Sequence, residues 1–146
     1  MKKPKKGIVV DGSTRGNPGP SEYRAIDLET GEILFHKKIG LATNNITEFI
    51  ALGHALLYCI DKGIKTIIYS DSQTALSWLK KKHANSSLPV NERTKTANDY
   101  LKRILLKLKE LDLHFDGIDL SYNEIFITKW YTSEYGEIPA DFGVKK

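Results

Sequence analysis

Two short apolar runs, each closed by an aspartate, constrain this chain more than any other feature. Residues 7–11 read Gly-Ile-Val-Val-Asp, and residues 66–71 read Thr-Ile-Ile-Tyr-Ser-Asp. Both are rich in β-branched residues and too short for helices, so they predict buried strands. Between them Ile46, Phe49, Ile50, Gly53, Leu56, Leu57 and Ile60 recur at helical spacing. That spacing predicts an amphipathic helix over 45–62, with Gly63 as its stop. A strand–helix–strand order favours a right-handed crossover that returns the second strand parallel to the first. Asp11 and Asp71 then leave the sheet at one carboxyl edge, where open α/β sheets build their sites. Glu48, in the first turn of the crossover helix, is placed to look onto that edge.

The remaining segments fit around this unit. Gly12 to Pro20 holds three Gly and two Pro and reads as a loop. Extended stretches follow at 23–28 and 32–38, with Glu29-Thr-Gly31 as a hairpin turn between them. A short helix is expected over 72–82, a polar loop over 84–92, a long helix over 95–111 and a last strand over 124–130. The tail carries Gly136 and Pro139. The order β-β-β-α-β-α-α-β describes an antiparallel meander, a crossover and further parallel pairing. A length of 146 residues fits one domain spanning 1–146.

Composition excludes some classes of function. No apolar run approaches the ~20 residues needed to cross a bilayer, so no membrane association is expected. The basic start, Met1-Lys-Lys-Pro-Lys-Lys, is not followed by an apolar signal region. The lone Cys59 cannot form an internal disulfide and sits in an apolar helical stretch, which suits a cytoplasmic chain. A net charge of +4 favours anionic partners, nucleic acid first. Basic residues gather at Lys80-Lys-Lys-His83 and along 93–109, although two solvated helix faces would look the same.

Three acids brought to one edge repel one another, and a cation is the natural reason to assemble them. Oxygen ligands point to Mg²⁺ or Mn²⁺ rather than zinc. The plainer reading is that Asp11 and Asp71 are turn or helix caps, since Asp-Gly and Asp-Ser are common turn pairs.

The surrounding segments shift that balance. Asp11-Gly-Ser-Thr-Arg-Gly-Asn-Pro-Gly19, Thr43-Asn-Asn-Ile-Thr-Glu48 and Tyr69-Ser-Asp-Ser-Gln73 resemble three motifs of type 1 ribonuclease H, in the family's order and near its spacing. The resemblance covers about residues 7–80 well and the rest loosely. It implies an RNase H-like α/β fold, a mixed five-stranded sheet flanked by helices. It also implies hydrolysis of the RNA strand of RNA–DNA hybrids with two Mg²⁺ or Mn²⁺ ions, leaving 5′-phosphate and 3′-hydroxyl ends. Asp11, Glu48 and Asp71 match the first three catalytic, metal-binding acids, with Asp11 bridging the ions. Asp141 is the match for the fourth, with Glu134 and Glu137 as nearby competitors. Asn17, Asn44, Asn45 and Gln73 match minor-groove contacts. Gly12, Ser13 and Thr14, with Glu48, match positions that sense 2′-hydroxyls. Thr43 matches a DNA-phosphate pocket, with Asn98 as its second member. A cytoplasmic monomer acting on RNA–DNA hybrid is the expectation.

The chain also departs from the family. No histidine lies between Lys129 and Asp141, where many members carry one; Tyr131 stands near that place. Leu41 replaces an arginine that relatives often use on the DNA phosphate, which costs a charge-assisted contact. Trp78 is expected in the core rather than on DNA. A catalytically weak protein that binds hybrid or duplex RNA is the alternative, as is a resolvase or transposase core of similar fold. Clustered carboxylates oppose the first, because binding alone gains nothing from negative charge beside phosphates.

Overall fold

The computed structural model describes residues 3–86, 88–117 and 119–140. Among these residues seven strands form one sheet: β1 (Ile8–Thr14), β2 (Gly19–Asp27), β3 (Ile33–Ala42), β4 (Ile67–Ser70), β5 (His114–Asp116), β6 (Asp119–Tyr122) and β7 (Ile125–Lys129). The helices are α1 (Asn44–Lys62), α2 (Gln73–Lys81), α3 (Lys95–Lys109) and the single turn α4 (Thr132–Tyr135). The spatial order is β3-β2-β1-β4-β7-β6-β5. β1 pairs antiparallel with β2 and parallel with β4, and β7 is parallel to β4. The expected meander and crossover are both present.

The expectation of five strands is corrected to seven. β5 and β6 form an antiparallel hairpin that adds to the sheet beyond β7. The sequence does alternate here, with Leu113 and Phe115 set between Asp112, His114 and Asp116, and Leu120 and Tyr122 beside Asp119 and Ser121, about an Asp116-Gly117 turn pair. The strands are only three and four residues long, however, and fall between the elements expected at 95–111 and 124–130. A second correction concerns Gly12 to Pro20. The β1–β2 ladder continues to Thr14↔Ser21, and Gly19 and Pro20 pair with Ala42 and Leu41. Only the connection around Arg15–Pro18 is loop, because Gly and Pro mark turns without saying how tightly they close.

Local chemistry explains the element ends. Thr43 Oγ1 accepts from the Ile46 amide at 3.2 Å, a cap worth roughly 1 kcal/mol to α1. Gly63 closes α1 in the left-handed region, φ 67°, as its position in the sequence predicts. At the β2–β3 hairpin, Asp27 Oδ1 accepts from the Glu29 and Thr30 amides, and Gly31 supplies the positive φ.

The core lies in two layers. On one face, Ile8, Val10 and Ile68 of the sheet pack against Phe49, Ile50 and Leu56 of α1, with α2 and α3 beyond. Trp78 is buried there, edge-on to Phe49, and Cys59 is buried in the same cluster. The opposite face is covered by the chain after β7, where Trp130, Ile138 and Ala140 pack on Val9 and Ile26. The Trp130 indole donates to Gly136 O at 2.9 Å, which fastens that segment to the sheet. No helix among the described residues is long and apolar enough to cross a membrane.

Candidate active site

β1 delivers Asp11, β4 ends one residue before Asp71, and the first turns of α1 carry Glu48. One carboxylate oxygen from each lies within 4.8 Å of the others. Asp11 and Glu48 are buried and Asp71 is half-buried. The Gly12 amide donates to Glu48 Oε1 at 3.1 Å and fixes α1 to the end of β1. Burial holds the Glu48 carboxyl well above the ordinary carboxylate range. The charges of Asp11 and Asp71 and a side-chain hydrogen bond with Asp11 add to that shift, and the Gly12 amide partly opposes it. Burial and the two neighbouring carboxylates thus both favour the protonated form of Glu48.

These residues fit a divalent metal. The cluster holds three carboxylates and neither Cys nor His, a hard oxygen donor set. A cation would offset the charges of Asp11 and Asp71 that add to the effect of burial on Glu48. The N-cap residues of the two helices are not the aspartates: Ser72 Oγ caps α2 by accepting from the Ala75 amide, and Thr43 caps α1.

Several of the expected substrate residues lie on the elements that carry the three acids. Thr14 Oγ1 lies 2.9 Å from Ser21 Oγ and 3.2 Å from Thr47 Oγ1, which ties the end of β1 to β2 and α1. Asn17 Oδ1 accepts from the Asn44 amide at 2.9 Å, so the glycine-rich connection and the start of α1 form one surface. Asn44 and Asn45 are exposed at that helix start, and Ser13 and Gly12 are half-buried at the strand end. Gln73 opens α2 beside Asp71, and its Oε1 accepts from Lys129 Nζ at 3.1 Å. Asn98 is engaged within its own turn, donating to Thr94 Oγ1 at 3.1 Å and towards Pro89 O. Asp141 lies outside the described residues.

Two side chains near the site were not picked out from sequence. Lys129 pairs with Ser70 in the β4–β7 register, one residue from Asp71, and its place near the end of the last predicted strand was the available signal. Arg24 faces Asp11 across β1–β2, and its Nε donates to Ala140 O at 2.9 Å. No local pattern marks that contact, which joins residues 116 apart in sequence.

A family model described as RNase H matches residues 4–118. The chain belongs to the RNase H family. A ribonuclease H of Neorickettsia sennetsu is 33% identical over 90 residues, a match spanning 55% of this chain and 60% of that protein's length. An RNase H1 of the halophilic archaeon Halobacterium salinarum, 26% identical, aligns over 88% of this chain and 86% of its own with a TM-score of 0.53. LC11-RNase H1, isolated from compost and solved in complex with RNA/DNA hybrid, aligns over 88% and 86% at 20% identity with a TM-score of 0.52. The last comparison bears on the RNase H fold alone.

Proposed function

We propose that this chain is an endonuclease that hydrolyses the RNA strand of RNA–DNA hybrids, using two Mg²⁺ or Mn²⁺ ions held by Asp11, Glu48 and Asp71. The observation that carries the reading is the position of the three carboxylates beside a surface built from both motifs expected to read the hybrid, joined by Asn17 and the Asn44 amide. The family supports the chemistry, and a relative of the same fold has been seen with RNA/DNA hybrid.

When bound, the divalent ions supply Lewis acidity to the scissile phosphate and lower the pKa of the attacking water. Asp11, Glu48 and Asp71 hold them and balance their charge. The buried setting of Asp11 and Glu48 keeps these carboxylates from reorganising as charge moves. Gly12 keeps Glu48 against β1, which holds its carboxyl beside Asp11 and within reach of a ribose hydroxyl. Close backbone approach at Gly12 to Thr14 serves the same discrimination, because only RNA offers that hydroxyl. Asn44, Asn45 and Gln73 would contact the minor groove, and Thr43 the DNA strand. Asp141 would complete the metal site, and the products would carry 5′-phosphate and 3′-hydroxyl ends.

Labelled RNA–DNA hybrid, duplex RNA and duplex DNA, each with Mg²⁺, Mn²⁺ or EDTA, test this directly. Metal-dependent cutting of the RNA in the hybrid is expected, with the duplexes left intact. Cutting of duplex DNA overturns the substrate assignment. Tight hybrid binding without cutting in either metal selects the binding-protein alternative.

A further inference from the structure

A second polar arrangement lies on the far side of α1. Tyr23 is fully buried, and its hydroxyl sits 2.6 Å from His54 Nδ1. Burial holds the Tyr23 phenol far above its ordinary range, so it stays protonated and donates to Nδ1. Burial, and then the charge of Lys37, pushes His54 down to about 4, so the ring is neutral and its hydrogen is on Nε2. Phe35 stacks on the ring with centroids 3.8 Å apart and planes 6° off parallel, which fixes its orientation.

His54 forms one wall of a cleft of about 270 Å³ between β3, α1 and α3, completed by Lys37, Leu57, Tyr100, Arg103 and Ile104. Among the described residues no carboxylate lines it, although the exposed Asp99, paired with Lys95, feels the charge of Arg103. Neither Lys37 nor Arg103 makes an ion pair among the described residues; Arg103 instead lies 5.7 Å from the centroid of the Tyr100 ring. The walls therefore present two cations, an imidazole donor, a phenol and an apolar floor. At ~30 Å³ per water the cleft has the volume of about nine waters, enough for a phosphate and a sugar or ring but not for a duplex. His54 is six residues beyond Glu48, roughly 9 Å along the helix and on a different face, so the cleft is separate from the acids.

We propose that this cleft is a second anion site that takes a phosphomonoester of mononucleotide size, with Lys37 and Arg103 on the phosphate and the sugar or base against Tyr100, Leu57 and Ile104. The assignment follows from an all-donor rim above apolar walls, the pattern of a small-ligand pocket with a few convergent polar groups. It does not depend on the nuclease reading, and either can fail without the other.

The test is a titration of the full chain, free of divalent metal, with adenosine 5′-monophosphate, inorganic phosphate and adenosine, followed by two-dimensional NMR. Saturable shifts are expected with the monophosphate at the His54 imidazole and the Tyr100 and Arg103 amides. Phosphate should bind more weakly and adenosine should leave those signals unmoved. Lys37→Gln and Arg103→Gln are exposed changes whose spectra report folding directly, and each should weaken binding at least about ten-fold. Glu48→Gln should bind as the unaltered chain does. Shifts centred on Asp11 and Glu48, equal binding by adenosine, unchanged affinity in both cleft variants, or no saturation by roughly 10 mM would each overturn the proposal.

Discussion

The Gly12 amide and Glu48 Oε1, 3.1 Å apart, join the strand that carries one acid of the site to the helix that carries another. The contact is possible because Gly12 has no side chain: a Cβ there would stand 2.7 Å from Thr47 Cγ2 and 3.4 Å from the Glu48 amide nitrogen. Gly12→Ala should push α1 away from β1. Overpacking of this kind costs about 1–3 kcal/mol. Thermal unfolding should show the loss of stability, and hybrid cleavage should fall further than stability does, since Glu48 is displaced. Full activity in a folded Gly12→Ala protein would show that the close approach is incidental.

Glu48 makes the metal-free protein sensitive to pH. Its folded pKa is raised, chiefly by burial and then by Asp11 and Asp71, above the ordinary 4.5. The folded state therefore holds a proton that the unfolded chain has released. Its favourable contribution is complete below pH 4.5 and is lost as pH rises from there through the raised folded value. Glu48→Gln should remove that loss, so the metal-free variant melts higher than the unaltered protein at pH 7–8. Mg²⁺ should raise the melting temperature of the unaltered protein, by about 2.7 kcal/mol of stability at a hundred times its Kd, and have little effect on Glu48→Gln. Calorimetry with EDTA and with Mg²⁺ across pH 4–8 measures both.

His54 has the opposite dependence. Its folded pKa, about 4, lies below the ordinary 6.5, so the unfolded chain takes up a proton first as the solution is acidified. The stability from the neutral, buried ring is present above pH 6.5 and is lost as pH falls towards 4. The difference in melting temperature between the unaltered protein and His54→Gln should narrow across that window. A constant difference would mean that His54 is not held neutral by its surroundings. Tyr23→Phe, which leaves Nδ1 without its donor, should cost about 1 kcal/mol at neutral pH.

Much of this site could be read from sequence because it is built at element ends. The apolar runs before Asp11 and Asp71 and the 3.6-residue spacing around Glu48 each specify an element and place its acid near one edge. The β5–β6 hairpin does carry an alternation, Leu113 and Phe115 then Leu120 and Tyr122 about Asp116-Gly117, but its strands of three and four residues gave no firm boundaries. The tail gave no periodic signal either, yet Trp130, Ile138 and Ala140 are buried on Val9 and Ile26, a packing set by contacts distant in sequence. The Tyr23–His54–Phe35 arrangement draws one residue each from β2, α1 and β3, so no local spacing announces it. Leu41 was read against a family position, and its place in β3 opposite Pro20 shows the strand running past the predicted end at 38.

Gly53 shows where propensity and packing compete. It sits in the middle of α1, where alanine should gain up to about 1 kcal/mol. A Cβ there would meet Ile104 Cγ2 at 2.5 Å, where α3 crosses α1. Gly53→Ala alone should destabilise the protein. The double variant Gly53→Ala, Ile104→Ala should be more stable than the sum of the single changes, because the second removes the atom the first strikes. Denaturant unfolding of the four proteins gives the coupling, and strict additivity would mean that Gly53 and Ile104 do not approach this closely.

The central claim is that Asp11, Glu48 and Asp71 act together on a metal-assisted cut of hybrid RNA. Its most direct test compares single-turnover cleavage of a labelled RNA–DNA hybrid in Mg²⁺ by the unaltered protein and by Asp11→Asn, Glu48→Gln and Asp71→Asn, each confirmed folded. Losing one metal-binding carboxylate should cost several kcal/mol of transition-state stabilisation, about a thousand-fold or more in rate, and EDTA should silence the unaltered protein. Cleavage that survives Asp11→Asn, or that proceeds unchanged in EDTA, would contradict the account.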